Sequence, residues 1–200
     1  MSGRPASADR NRTPRSARDR ELGAEADDTF PEGDHQAQRA ARRSALLRLA
    51  RRDQSTSELR RALERQGHAP DAIEHTLARL AQAHLLDDQA FAERFARRAL
   101  ERGLGSKRIG LALGVRGIPR DLVRVGLERA QADAPEETTV DRLAQAYWRR
   151  HARVDRQRRF RRLWAYLLRR GFPAALVAAR LKALAPDLDE MLDSLASGPS

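Results

Sequence analysis

The 200-residue chain contains no cysteine, which excludes disulfide staples, thiolate metal sites and cysteine nucleophiles. Aromatics are few, with two Trp, two Tyr and five Phe, so the core has to come mainly from Leu, Ala and Val. Lysine is rarer still. Lys107 and Lys182 are the only two, and the excess of 39 basic over 28 acidic residues is therefore arginine. No uncharged run approaches the ~20 residues of a membrane-spanning helix. The first twenty residues hold six arginines and no apolar stretch of the signal-peptide kind. These absences argue against secreted and membrane-spanning proteins and lead to the expectation of a cytoplasmic one. Strand signals are missing too: Val and Ile are sparse, and no run alternates apolar with polar residues.

Catalytic and metal-binding constellations are equally hard to find. His35, His68, His75, His84 and His151 show neither HxxxH nor HExxH spacing. His151 falls on the apolar face of its helix, where a core or boundary imidazole outweighs a ligand. The stretch Gly103, Leu104, Gly105, Ser106, Lys107 has a superficial likeness to a phosphate loop. It lacks the spacing and follows no strand, so a loop ending in an N-capping Ser106 is the better reading. Asp87 and Asp88 read as a helix start, where acids satisfy free amides and the dipole. No catalytic residue, cofactor or metal is expected.

What the chain does have is helix punctuation that repeats. Gly67, Gly117 and Gly171 are spaced by 50 and 54 residues. Eight residues before them stand Leu59, Ile109 and Leu163, and four before, Leu63, Leu113 and Leu167. Pro70, Pro119 and Pro173 follow, then Ile73, Val123 and Val177, then Leu77, Leu127 and Leu181. Glycine just past a helix end supplies the left-handed cap, and proline suits the start of the next helix, where its missing N–H costs nothing. A further helix precedes each pair. One runs around 41–51 with Ala45, Leu46, Leu49 and Ala50 on a face. Another follows Asp87 and Asp88 with Phe91, Ala92, Phe95 and Ala99. A third is capped by Thr138 or Thr139, with Val140, Leu143, Ala144, Tyr147, Trp148 and His151 along one stripe. Ser55 with Glu58 makes a capping box for the second helix.

The expected fold is thus all-α: an elongated array of three tandem three-helix repeats over 39–86, 87–131 and 139–185. Residues 1–38 form an N-terminal extension too poor in apolar residues to order itself. Residues 132–138 are a linker and the expected flexible joint, and 186–200 an acidic tail. Units under fifty residues are marginal alone, so neighbours should dock.

Charge is unevenly spread over this plan. Residues 141–185 carry 13 basic residues against Asp141 and Asp155, a surplus equal to the +11 of the whole chain. The last fifteen residues hold four acids and no base. Such concentration points to a polyanionic partner. The sharpest feature is the helix over 156–170. On a helical wheel Phe160, Leu163, Trp164, Leu167 and Leu168 form a buried face. Arg158, Arg162 and Arg169 lie opposite, with Arg159 and Arg161 on the shoulders, and Arg149, Arg150 and Arg153 thicken the patch. Like charges at i,i+4 are mildly destabilising, and guanidinium binds phosphate or carboxylate bidentately. These eight arginines are the candidate polyanion-binding residues.

The same residues carry a family resemblance. Leu46 to Arg52 followed by 55–63 and Gly67, the junction Leu85, Leu86, Asp87, Asp88 with Phe91, Ala92 and Phe95, the run Gly105 to Ile109 leading to Arg116, Gly117 and Ile118, and Leu167 to Phe172 together resemble the RecX family, regulators of the RecA recombinase. The resemblance spans about 40–184. It implies a tandem three-helix fold lying in the groove of the RecA filament on single-stranded DNA. It further implies a modulator, usually an inhibitor, of filament assembly, ATPase and strand exchange, with no catalytic residue. A monomer, without membrane contact, is expected to meet RecA, and single- or double-stranded DNA through the basic third repeat. The alternative is a stand-alone nucleic-acid-binding module of helix-turn-helix kind.

Overall fold

The computed structural model describes residues 32–188, with side chains from 35 to 187. Among these residues there are nine α-helices and no strand. Unit 1 comprises α1 (Glu32–Leu49), α2 (Thr56–Arg65) and α3 (Pro70–Gln82). Unit 2 comprises α4 (Asp88–Glu101), α5 (Ser106–Val115) and α6 (Arg120–Asp133). Unit 3 comprises α7 (Glu136–Arg150), α8 (Arg156–Arg169) and α9 (Ala174–Leu184), followed by a 3-10 turn at Pro186–Leu188.

Local chemistry sets these bounds. Ser55 Oγ accepts from Glu58 N at 3.0 Å while Ser55 N donates to Glu58 Oε2 at 3.3 Å, the reciprocal box expected before α2. Asp87 caps α4 by accepting from Ala90 N at 2.9 Å. Gly67, Gly117 and Gly171 all sit in the left-handed region, at φ +78°, +79° and +89°. After each, the chain folds back on its own helix: His68, Ile118 and Phe172 N–H groups donate to the Leu63, Leu113 and Leu167 carbonyls.

Each unit has its own core. Leu59, Leu63, Ile73, Leu77 and Leu80 fill unit 1 with Ala45. Phe91, Ala92, Ala96, Leu100, Ile109 and Leu113 fill unit 2. Val140, Phe160, Leu163, Trp164, Leu167, Phe172, Val177 and Leu181 fill unit 3. The aligned leucines and Ile109 are thus core positions in all three.

The units dock through their middle helices, the end of one against the start of another. The C-terminus of α5 meets the N-terminus of α2, where Ser55 Oγ donates to the Arg116 carbonyl at 2.6 Å. The C-terminus of α8 meets the N-terminus of α5, where Gly105 N donates to the Arg170 carbonyl at 2.8 Å and Lys107 N to the Gly171 carbonyl at 3.1 Å. Helix ends leave amides and carbonyls without intrahelical partners. At each joint the carbonyl end of one middle helix gains donors from the start of another, so the negative end of one dipole meets the positive end of the next.

Several boundaries depart from the sequence reading. Residues 32–38 are helical, the first part of α1, where the reading placed the end of a disordered extension. The rest of that extension, and the tail beyond 188, lie outside the described residues. The 132–138 linker reduces to Ala134 and Pro135. Helix α7 starts at Glu136, with Pro135 at the preceding position, so neither Thr138 nor Thr139 caps it. Nor is the segment untethered. Glu136 is buried and accepts from Ser106 N and, at 3.3 Å, from Gln131 Nε2, which ties α7 to unit 2. Ser106 is the first residue of α5 rather than its cap, with Gly105 before it.

Candidate functional site

Helix α8 carries the basic row, and its amphipathic pattern explains how the row is presented. Phe160, Leu163, Trp164 and Leu167 are buried in the unit 3 core, and Leu168, read as part of that face, stands half-buried at its edge. Phe160, Leu163 and Leu167 are fully enclosed, so truncating one leucine to Ala should cost about 2–5 kcal/mol. That anchoring holds the opposite face towards solvent. Arg158, Arg161, Arg162 and Arg169 are all exposed there, and their side chains meet no acid among the described residues.

The row is placed against local electrostatics. Asp155 caps α8, accepting from Arg158 N at 3.0 Å, but the first turn contains no acid and instead holds Arg156 and Arg158. Cations there oppose the helix dipole. Arg149 and Arg150, in the last turn of α7, and Arg169, in the last turn of α8, differ in this respect, since the dipole favours cations there. Arg153 is exposed in the connection between α7 and α8.

Arg159 has to be removed from the exposed set. Its guanidinium lies 3.8 Å from the centre of the Trp148 ring, and Nη1 donates to the carbonyls of Trp148 and His151, both at 3.4 Å. The side chain is half-buried and bolts α8 to the end of α7. On the wheel it stood on a shoulder, and the wheel carries no information about the neighbouring helix that covers that shoulder.

Beside the row lies a shallow concavity lined by Tyr147, Arg161, Arg162, Ala165 and Arg169. Tyr147 is held by Tyr166, with ring centres 5.3 Å apart, and by His151 at 4.2 Å. His151 is thus a half-buried boundary imidazole packed on an aromatic ring. At the start of α8, Arg156 pairs with Asp187 at 2.6 Å, so the first acid of the tail reaches this unit. Arg180 forms a two-pronged pair with Asp141 that joins α9 to α7, and this contact raises its pKa further.

Sequence reasoning passed over a second arginine cluster. Arg48, Arg52, Arg61, Arg65 and Arg116 surround Glu58 in a cleft at the joint between units 1 and 2, with Val115 at its edge. Arg116 also lies over the Phe95 ring, 4.5 Å from its centre. These residues come from α1, the connection after it, α2 and the end of α5, so no single run of sequence displays them. Aligning the units on their glycines would have placed Arg61 and Arg65 at the positions of Ala165 and Arg169.

The Gly103 to Lys107 loop binds neighbouring protein rather than offering a cradle. The amides of Gly105 and Lys107 donate to the Arg170 and Gly171 carbonyls just past α8, and that of Ser106 to Glu136. Among the described residues no group of His, Asp and Glu could hold a metal ion, and no helix is long and apolar enough to cross a membrane.

Comparison with known proteins matches the three units one by one. The models of the first, second and third three-helix domains of RecX match residues 41–80, 87–127 and 136–179. Regulatory protein RecX of Halorhodospira halophila is 36% identical over 165 residues, covering 77% of this chain and 92% of that protein. Its counterpart in Pseudomonas putida strain GB-1 is 33% identical over 153 residues, covering 76% and 94%. The crystal structure of RecX from Lactobacillus salivarius superposes with a TM-score of 0.69 at 20% identity, over 75% of this chain and 97% of that one.

Proposed function

The chain belongs to the RecX family of regulatory proteins, and from that premise we propose that it binds the RecA filament on single-stranded DNA and lowers its assembly, ATPase and strand-exchange activities. The observation that supports this reading most directly is the row Arg158, Arg161, Arg162 and Arg169. It is exposed, unmatched by described acids, and set partly against the helix dipole. Fold stability does not call for such a row, and an anionic partner would. Planar guanidinium forks at successive turns suit carboxylates or phosphates presented at regular intervals, as a filament presents them. Tyr147 within the same concavity adds a flat apolar face.

Titrating the protein into RecA on single-stranded DNA while following ATP hydrolysis tests the proposal. The hydrolysis rate should fall at or below equimolar ratios, and filaments should shorten. An unchanged rate and filament length would refute it. Replacing Arg158, Arg162 and Arg169 together by Ala should leave helicity and melting nearly unchanged and weaken the effect. Tight, sequence-selective binding to naked duplex with a steep salt dependence would instead favour a stand-alone DNA-binding module.

A further inference from the structure

Helix α5 carries an apolar pair that its own unit does not use. Leu111 and Val115 are 74% and 76% exposed, more than any other large hydrophobic residue described. They stand four residues apart, on adjacent turns of one face. Single exposed aliphatics are ordinary, but this pair sits between two basic clusters. On one side, Val115 borders the cleft of Arg48, Arg52, Arg61, Arg65 and Arg116, and its carbonyl accepts from Arg61 Nη2 at 3.4 Å. On the other, Arg108, one turn before Leu111, donates from Nη1 to the Arg169 carbonyl at 3.2 Å. Arg169 in turn lines the concavity of α8. The repeat alignment gives these residues equivalent positions in their units. Six and two residues before the capping glycines stand Arg61 and Arg65 in unit 1, Leu111 and Val115 in unit 2, and Ala165 and Arg169 in unit 3.

We infer that this face of the stacked middle helices is one docking surface for a protein, with Leu111 and Val115 as its apolar centre and the arginines of α2 and α8 as its basic ends. The matching partner surface has an apolar residue flanked by carboxylates. An apolar centre with a charged rim is the ordinary anatomy of a protein–protein contact. Nucleic acid fits the centre poorly, because its interfaces are polar and basic, and its bases stack on aromatic rings rather than on aliphatic pairs. A second copy fits poorly as well. A two-fold contact through this face would bring arginines against arginines. The inference rests on the reading proposed above in taking the RecA protomers, rather than the DNA they coat, as the partner.

The test uses the full chain with RecA on single-stranded DNA. Both side chains are exposed, so Leu111→Ser with Val115→Ser should leave circular dichroism and melting unchanged. The concentration that halves ATP hydrolysis should rise by about tenfold or more, the loss expected for a central contact, with affinity for naked single strands unaltered. A double variant as potent as wild type, within about twofold, overturns the inference and leaves the proposed function standing. A wild-type protein with no effect on hydrolysis defeats both. Because the chain has no cysteine, Val115→Cys carrying a thiol-linked photo-crosslinker provides a second readout. Crosslinks to RecA support the inference. Crosslinks only to DNA, or only to another copy of the chain, overturn it.

Discussion

The two joints between units use the same pair of helix ends, yet they close at different levels of the chain. Between units 1 and 2 the closure is made largely by side chains. Ser55 Oγ reaches the Arg116 carbonyl, Asp88 Oδ1 accepts from Thr56 N at 2.8 Å, and Asp53 pairs with Arg94 and Arg98 at 3.1 and 3.6 Å. Between units 2 and 3 backbone meets backbone at Gly105 and Gly171, and Arg170 Nη1 donates to the Arg102 and Gly103 carbonyls at 2.9 and 2.8 Å. A Cβ built at Gly105 would lie 2.3 Å from Gly171 C, and one at Gly171 would lie 2.6 Å from Arg108 N. At Gly117 the obstacle is Ser57, with Oγ at 2.3 Å and Cβ at 2.4 Å, and at Gly67 no described atom lies within 4 Å. The comparison shows that one repeated capping glycine can do three jobs. It ends a helix everywhere, admits a side chain at one joint, and admits another backbone at the second.

The largest effect is therefore expected at the backbone joint. Gly105→Ala should cost about 3 kcal/mol or more, because neither backbone can step aside cheaply. Its φ of −89° suits alanine, so the loss would report contact alone. Trp148 and Trp164, the only two tryptophans, both lie in unit 3. Fluorescence then follows unit 3 while circular dichroism follows all units, and in urea the two transitions should separate in this variant. Coincident, unshifted transitions would show that the joint tolerates a methyl group. Gly117→Ala combines a left-handed φ with a clash against Ser57, whose Cβ at 2.4 Å no rotamer moves, so the start of α2 has to shift and about 2–3 kcal/mol is expected. Gly67→Ala keeps only the backbone penalty, about 1 kcal/mol. If Gly105→Ala loses little and the Gly117 and Gly67 variants lose equally, the joints do not differ and the glycines are caps alone.

Much of this architecture was legible beforehand, for a specific reason. Glycine and proline act locally, so Gly67, Gly117 and Gly171 mark helix ends whatever surrounds them. The leucines and Ile109 four and eight residues earlier mark faces by period alone, and all six are buried. The joints were not legible, because a cap has the same sequence whether or not another helix abuts it. The same limit explains the site. Arg158, Arg161, Arg162 and Arg169 form one run and were found, with Arg149, Arg150 and Arg153 nearby. Arg159 belongs to that run but is covered by Trp148 of another helix. Arg48, Arg61 and Arg116 come together only after three helices have packed.

A smaller effect separates the side-chain joint from an ordinary helix cap. Ser55→Ala removes the capping box and also leaves the Arg116 carbonyl without its donor. An exposed cap loses about 1 kcal/mol in such a change. Ser55 is fully buried, so a loss nearer 2 kcal/mol is expected in urea unfolding. Asp at Ser55 could restore the cap but not the bond across the joint, since an ionised carboxylate has no proton to donate to the Arg116 carbonyl. A loss no larger than the cap alone would mean that the joint draws nothing from this contact.

The finest distinction is one of pH, and it belongs to the second joint. Burial raises the Glu136 pKa above its ordinary value. The hydrogen bonds from Ser106 pull it the other way without cancelling the desolvation, and the Glu137 charge adds slightly to the rise. The folded chain therefore holds this proton more tightly than the unfolded chain does. Stability from this group is fully present below the ordinary carboxylate range and falls as pH rises through the raised value. Glu136→Gln keeps an acceptor for Ser106 N and removes the charge. Near pH 4 the variant and the wild type should unfold together. As the pH climbs towards 8 the variant should gain on the wild type, by less than about 1 kcal/mol for a carboxylate this well bonded. A difference that stays flat from pH 4 to 8, or that turns against glutamine as the pH rises, would mean that the donors at the tip of α5 hold the Glu136 carboxylate more strongly than burial opposes it. The second joint would then owe part of its closure to charge, as the first does.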